Sequence, residues 1–172
     1  ASGYLAPELW DTKIFRNKVV TCGNDGIQLG CGRYGSEIHD NDIQDAGFLG
    51  TGSQNSCLSI NTGFEGHVYN NRCIPAPKGG SIVAQPTGNC YIYGNTFSGI
   101  SAGIDGVYII SDVTTNPNIE VLVFNNTVLS KKAGVTYNHR AGNKIGKLII
   151  VNNIFTKGSA SLFVQYFGTT AL

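Results

Sequence analysis

Apolar residues recur along this chain at fixed distances from six asparagines, which follow one another at steps of 24, 30, 24, 31 and 27 residues. The residue three before each asparagine and the residue two after it are apolar in all six repeats, far above the 41% hydrophobic content of the chain. A repeat of this length predicts a solenoid, in which each coil packs on the next. The asparagines are Asn17, Asn41, Asn71, Asn95, Asn126 and Asn153.

A second aliphatic position follows each asparagine by 9 to 17 residues. Around it, residues alternate with a period of two, as in Gly26-Ile27-Gln28-Leu29, which favours strands over helices. Strands that recur once per repeat must pair with their copies in the next repeat, so we predict parallel sheets. These second positions are Ile27, Leu58, Ile82, Val107, Val135 and Leu162.

The asparagines themselves predict tight corners. Asparagine tolerates the left-handed backbone conformation that such a corner needs, and its side chain can bond the corner's backbone. Stacked amides can also bond to one another from coil to coil. We therefore expect a structural asparagine ladder without chemistry of its own.

The pattern Ile/Val-x-x-Asn-x-apolar, as in Ile92-Tyr93-Gly94-Asn95-Thr96-Phe97, resembles the repeat of pectate-lyase-like proteins. The resemblance runs from Ile14 to about Val164 and implies an all-β fold, a right-handed parallel β-helix of about six coils with an asparagine ladder. That superfamily includes polysaccharide lyases, hydrolases, epimerases, tailspikes and adhesins. The resemblance thus implies a polysaccharide-active protein located extracellularly or at the cell surface.

Residues 1–172 are expected to form a single β-helix domain. The repeat already runs at Ile14, the first thirteen residues with Trp10 are short for a cap, and the tail around Leu162 is apolar. Because a solenoid needs its ends covered, we expect a segment of a longer solenoid chain or a homo-oligomer whose partners cover the ends.

Charge and cysteine content narrow the classes of partner. Twelve basic against eleven acidic residues give no general attraction to nucleic acid, and no apolar run is long enough for a membrane span.

The five cysteines are an odd number, so at least one is free or bridged to another chain. We expect Cys73 and Cys90 to be reduced core thiols, whereas Cys22 and Cys31 flank a turn and can pair.

Two long connections mark the candidate site. From the second aliphatic position to the next asparagine, the first three coils take 14, 13 and 13 residues and the next two take 19 and 18. Insertions at the same corner of consecutive coils should stand side by side and form a binding face. The second connection concentrates basic or titratable side chains without an acid among them: His139, Arg140, Lys144 and Lys147.

A basic loop on a neutral protein suits an anionic polysaccharide, and the resemblance makes a uronic acid polymer the leading candidate. Cleavage by β-elimination needs a group that neutralises the carboxylate and a base that removes the adjacent proton. Arg140 can grip a carboxylate with two parallel hydrogen bonds, and Tyr137, His139 or Lys144 is the candidate base. Substrate contacts are expected from four further residues: Asp112, Lys147, Tyr108 and Asn138.

A lyase is favoured over a hydrolase, because no two acids share a register on the long-loop face as paired-carboxylate hydrolysis requires. The alternative is a non-catalytic carbohydrate-binding or structural segment of a tailspike, adhesin or surface protein. Calcium is the cofactor that the sequence admits, since Asp40, Asp42 and Asp45 crowd one corner, although a solvated turn is the reading we favour there.

The position two before each asparagine carries an aromatic ring or histidine in five of six repeats. Strand alternation places it on the outer surface, where a column of rings can offer a platform for sugars or become buried under a neighbouring chain. We favour coverage by a loop, by a further domain or by a neighbouring chain over sugar binding. The residues are Phe15, His39, Tyr69, Tyr93, Phe124 and Val151.

Overall fold

The protein is a parallel β-solenoid of about five turns, shown by a computed structural model that describes residues 8–49, 55–98, 105–111, 116–129, 133–139, 145–156 and 164–167. All regular structure in these residues is β-strand, and each strand pairs in parallel with its counterpart one coil away. The predicted fold class is confirmed, with six asparagine corners delimiting five turns. The described residues contain no helix that could span a membrane.

Three walls of stacked strands enclose the interior. We number the walls in the order in which the chain passes through them after each asparagine corner, and we call the N-terminal end of the solenoid its lower end. Wall 1 is the six-stranded sheet of β3 (Lys18–Cys22), β7 (Asp42–Ala46), β9 (Arg72–Pro75), β11 (Thr96–Ser98), β14 (Thr127–Leu129) and β17 (Ile154–Thr156). Walls 2 and 3 are the two parts of a ten-stranded sheet, joined by the long strands β8 (Ser56–Tyr69) and β10 (Gly80–Tyr93).

The remaining strands complete these two walls. Wall 2 contains β4 (Ile27–Leu29), the first parts of β8 and β10, β12 (Val107–Ser111), β15 (Val135–His139) and β18 (Val164–Phe167). Wall 3 contains β2 (Lys13–Phe15), β6 (Ser36–His39), the second parts of β8 and β10, β13 (Asn116–Phe124) and β16 (Ile145–Val151). A small separate pair, β1 (Leu9–Trp10) and β5 (Gly32–Arg33), lies at the corner between walls 2 and 3.

The core is built from the apolar positions that the repeat predicts. Leu58 and Val107 flank Ile82 in register on wall 2, and all three are buried. On the other walls the buried residues follow the asparagine spacing: Ile38, Val68, Ile92 and Val123 before the corner, and Ile43, Cys73, Phe97 and Val128 after it. Leu162 lies outside the described residues.

The asparagine ladder is confirmed. Each ladder residue from Asn17 to Asn126 donates its backbone N–H and its side-chain amide to the side-chain oxygen of the next asparagine, at 2.9–3.1 Å. From Asn41 onward the amide also donates to a wall 3 carbonyl one coil below. Buried polar groups in the corner are thereby satisfied in a dry interior.

We expected the ladder asparagine to adopt the left-handed conformation of the corner, and this expectation is wrong. The left-handed residue is the one before it in every coil, with φ between 53° and 63°. The ladder side chain must point inward to reach its neighbours, so the preceding residue makes the turn. These left-handed residues are Arg16, Asp40, Asn70, Gly94, Asn125 and Asn152.

All five cysteines are free thiols. Cys73 and Cys90 are fully buried, as expected of small apolar core residues, and burial raises the pKa of Cys90 to about 12. Cys22 and Cys31 are not joined; each donates to a backbone carbonyl instead, Cys22 to that of Asp25.

Candidate functional site

The corner between walls 2 and 3 is crossed by continuous strands in the middle coils and by long connections in the later coils. In the middle coils β8 and β10 pass through it as continuous strands. Higher up, the chain leaves wall 2 at Ser111 and at His139, which are paired in register. It rejoins wall 3 at Asn116 and at Ile145, which are also paired. The two long connections therefore start and end side by side.

Three residues of the predicted site lie in those connections. Asp112, Arg140 and Lys144 are outside the described residues. In the chain, Asp112 directly follows Ser111 and Arg140 directly follows His139, so both come immediately after paired strand ends.

Tyr108 and Asn138, two expected substrate contacts, meet on the outer surface of wall 2. The Asn138 side-chain amide donates to the Tyr108 hydroxyl at 2.7 Å across neighbouring coils. Both side chains are half-buried and both strands lead directly into the long connections. Two coils lower on the same wall, the Ser59 hydroxyl donates to the Asn61 side-chain oxygen at 3.1 Å. This surface therefore carries neutral polar groups suited to bonding hydroxyls.

Tyr137 and His139 lie beneath the surface. They alternate with Asn138 along β15 and face the core side, with 8% and 4% of their surface exposed. The Tyr137 hydroxyl accepts a hydrogen bond from the Ile145 backbone N–H at 3.1 Å, across the base of the second connection. The ring centroids of Tyr137 and His139 are 6.2 Å apart. Among the described members of the predicted set, Tyr108, Asn138 and Lys147 are accessible.

Lys147 lies on the outer surface of wall 3, away from the Tyr108–Asn138 pair. Its ammonium is 3.3 Å from the carboxylate of Glu120, which precedes it by one coil. An exposed ion pair of this kind contributes little to stability, so Lys147 can exchange Glu120 for a ligand carboxylate at small cost. The second connection contains no acid of its own, so the carboxylate that pairs with Lys147 comes from the neighbouring coil.

The aromatic positions of wall 3 form one continuous stack. Centroid distances between Phe15, His39, Tyr69, Tyr93 and Phe124 are 4.7–5.1 Å, and successive planes differ by 2° to 11°. Strands about 4.8 Å apart bring equivalent rings into contact. Both faces of the three inner rings are therefore covered by neighbouring rings. These inner rings present only their edges, so they do not form a sugar platform, which was the less favoured of the two alternatives for this surface.

Charged groups border the lower part of this stack. The Tyr69 hydroxyl donates to Glu37 at 2.8 Å, Lys13 lies 3.4 Å from the same carboxylate, and His39 contacts Asp40 at 2.9 Å. The Tyr69 hydrogen bond, with help from Lys13 and His39, holds the pKa of Glu37 below its ordinary 4.5. Burial and the bond to Glu37 raise the pKa of Tyr69 to about 12.

Hydrogen bonds from His39 and Arg72 lower the pKa of Asp40 and Asp42, respectively. Two of the acids that were considered as calcium ligands already have other partners. Asp42 pairs with Arg72 at 2.8 Å, and Asp40 contacts His39. Within the described ranges, no group of three or more His, Cys, Asp or Glu side chains is placed to hold a metal ion.

Comparison with known protein families, with curated proteins and with solved structures finds no match to this chain. The fold itself, a parallel β-solenoid, is what the structure shows.

Proposed function

We propose that the protein recognises an acidic polysaccharide at the corner between walls 2 and 3, around Tyr108 and Asn138. The observation that carries the proposal is the pairing of the two long connections at both ends, directly beside the bonded Tyr108–Asn138 pair. The second connection holds Arg140 and Lys144 in a protein whose net charge is only +1.

Each part of this corner has a role in recognition. Arg140 and Lys144 supply cationic donors for uronate carboxylates, and a guanidinium forms paired bonds with a carboxylate. The Tyr108 hydroxyl and the Asn138 amide bond sugar hydroxyls. Lys147 meets a carboxylate further along the ligand after releasing Glu120.

Elimination is the reaction that we propose for this site. Arg140 neutralises the carboxylate at C5, which acidifies the neighbouring C–H bond. Lys144 in its neutral form is the base that takes the C5 proton, because Tyr137 and His139 are buried. The electron pair forms the C4–C5 double bond as the C4–oxygen bond breaks, and the departing oxygen takes a proton from water.

Ultraviolet absorbance tests this reaction, because the unsaturated uronate product absorbs where the substrate does not. The protein is mixed with a panel of uronic acid polysaccharides, with and without Ca²⁺. We expect rising absorbance on a member of the panel and a loss of about 100-fold or more for Arg140→Ala. Lys18→Ala, which removes an exposed cation on wall 1, should be unchanged. No rise on any substrate, or a rise unaffected by Arg140→Ala, contradicts the proposed reaction.

A structural role is the second candidate, favoured by the outer surface of the last two coils. Val151, Leu129 and Ile154 are exposed apolar residues on both sides of one asparagine corner, beside the half-buried Leu122 and Phe124. Apolar patches of this kind mark contact surfaces. Light scattering tests it: a stable oligomer that Ile154→Lys dissociates supports assembly, and a monomer at all concentrations contradicts it.

A further inference from the structure

Two aromatic rings project from the lower end of the corner between walls 2 and 3. Trp10 ends β1 and Tyr34 directly follows β5, and the two strands pair in parallel. The ring centroids are 4.3 Å apart with planes at 28°. Trp10 is 62% exposed and Tyr34 54% exposed, although both are large side chains that proteins usually cover.

This pair differs from the aromatic stack of wall 3 in what it offers to a ligand. A stack of five covers both faces of each inner ring, whereas a stack of two covers one face of each. The outer faces of Trp10 and Tyr34 therefore stay available, as the high exposure of both residues indicates. A flat apolar ring face in water is the surface on which the C–H face of a pyranose packs.

The chain turns sharply beside both rings, through left-handed residues. Tyr34 has φ of 42°, a left-handed conformation that bulky residues rarely adopt. It is followed by Gly35 with φ of 87°, where a Cβ would lie 2.7 Å from an Asp11 carboxylate oxygen. Asp11 is itself left-handed, with φ of 53°. Unusual backbone conformations on both strands thus flank the two rings, as is common at binding sites.

Polar groups suited to a sugar surround the rings. Arg33 is the register partner of Trp10, and its guanidinium lies 3.5 Å from Glu8 and 3.7 Å from Glu65. The two carboxylates neutralise the Arg33 guanidinium, so this end of the corner suits neutral hydroxyls better than a uronate carboxylate. The Glu8 side chain is 45% exposed and can accept a hydrogen bond from a sugar hydroxyl.

The two rings lie on the same corner as the proposed polysaccharide site. Going up that corner, β5 is followed by the bends of β8 and β10, and then by the connections after Ser111 and His139. The step from β5 to the first connection is three strand spacings, or roughly 14 Å. A single polysaccharide chain lying along the solenoid axis can reach both.

We infer that Trp10 and Tyr34 form a sugar-stacking subsite for a pyranose ring of the same polysaccharide that the upper corner recognises. The inference depends on the proposed polysaccharide recognition, and it adds the direction in which the ligand lies. The rings hold one end of the chain by apolar contact, and the connections of the upper coils hold its charged groups.

Trp10 is the single tryptophan of the chain, so its fluorescence reports on this subsite directly. Binding is measured separately, by retardation of the protein in gels that contain each polysaccharide. We expect the bound polysaccharide to shift Trp10 emission to shorter wavelength. Trp10→Ala and Tyr34→Ala should each weaken binding roughly tenfold, and Trp10→Phe should restore most of the affinity. Phe48→Ala is the matched control, since Phe48 is 60% exposed at the corner between walls 1 and 2.

The outcomes separate this inference from the function on which it depends. Retardation with unchanged Trp10 emission, and equal retardation of Trp10→Ala and Tyr34→Ala, overturns the subsite and leaves polysaccharide recognition intact. No retardation by any polysaccharide overturns the recognition and the subsite with it. Equal weakening by Phe48→Ala also overturns the subsite, because it shows a nonspecific contribution of exposed rings.

Discussion

Single side chains hold successive coils together at the asparagine corner. The Asn71 amide donates to Ile38 in the coil below, to Tyr69 in its own coil and to Asn95 in the coil above. Its side-chain oxygen accepts two hydrogen bonds from Asn41. Because Asn71 is buried, the groups left behind by its removal have no access to water.

Asn71→Ala should therefore lower the free energy of unfolding by about 3 kcal/mol, since buried Asn41 donors lose their acceptor. Urea denaturation measures this. The matched control is Asn17→Ala at the exposed lower end of the ladder, which removes one of the two hydrogen bonds to the Asn41 side-chain oxygen and keeps the backbone one, so it should cost about 1 kcal/mol. Equal costs at the two positions would show that the ladder does not act through burial.

The left-handed residue before each ladder asparagine gives a second prediction at the residue scale. Gly94 has φ of 63°, and a Cβ there would lie 2.7 Å from the Asn70 side-chain oxygen. Gly94→Ala should destabilise the protein by about 1–2 kcal/mol, the cost of a left-handed L-residue. Gly30→Ala, where the nearest atom to a Cβ is 3.5 Å away, should change thermal stability little. A neutral Gly94→Ala would contradict the assigned corner conformation.

Sequence spacing predicted the ladder but not the left-handed residue, and the reason is local. The left-handed position holds residues as different as Arg16, Asp40 and Asn70, so it leaves no pattern in the sequence. The ladder position is invariant within the chain because each asparagine must bond an asparagine above or below. A repeated requirement is visible in one sequence, whereas a conformation that several residue types tolerate is not.

At the scale of elements, the aromatic stack on the outer surface of wall 3 is hydrogen-bonded to a neighbouring carboxylate. Tyr69 stacks between His39 and Tyr93, and its hydroxyl also donates to Glu37. Since the folded protein lowers the pKa of Glu37, this carboxylate contributes stability above pH 4.5. That contribution is lost as the pH falls below 4.5 and through the folded pKa.

Tyr69→Phe should keep the ring stack and raise the pKa of Glu37 toward 4.5, because the strongest hydrogen bond to the carboxylate is removed. NMR titration of Glu37 measures the shift, and acid unfolding should lose part of its dependence on pH. Tyr93→Phe also keeps the stack but leaves the Tyr69 bond in place, so it should not move the Glu37 titration. A Glu37 pKa unchanged by Tyr69→Phe would contradict the account of this network.

The pairing of β13 with β16 shows where element-scale reasoning from sequence stops. Glu120 and Lys147 each stand six residues before a ladder asparagine, so counting from the corner pairs them, whereas the register shift between Asn116 and Glu120 makes the pairing of Asn116 with Ile145 impossible to count in this way. The first of these pairings gives Lys147 a partner in Glu120, although its own segment contains no acid. The alternation along β15 buries Tyr137 and His139, which lie two and four residues after the inward-facing Val135, so the period of two already indicated their burial.

At the scale of the whole molecule, one corner carries the candidate chemistry. Its upper coils bear the paired long connections beside Tyr108 and Asn138, and its lower end bears Trp10 and Tyr34. The repeat predicted the upper part, because longer connections interrupt a regular spacing. It gave no signal for Trp10 and Tyr34, which lie outside the aligned positions and meet only through the pairing of β1 with β5.

Gel retardation by acidic and neutral polysaccharides tests the central claim most directly, with the wild type and Asn138→Ala run side by side. Recognition at this corner predicts that a uronic acid polysaccharide slows the wild type, that its neutral counterpart does so less, and that Asn138→Ala weakens the effect severalfold. Circular dichroism confirms that the variant retains its fold. Equal mobility in all gels, or retardation that Asn138→Ala leaves unchanged, would contradict recognition at this corner.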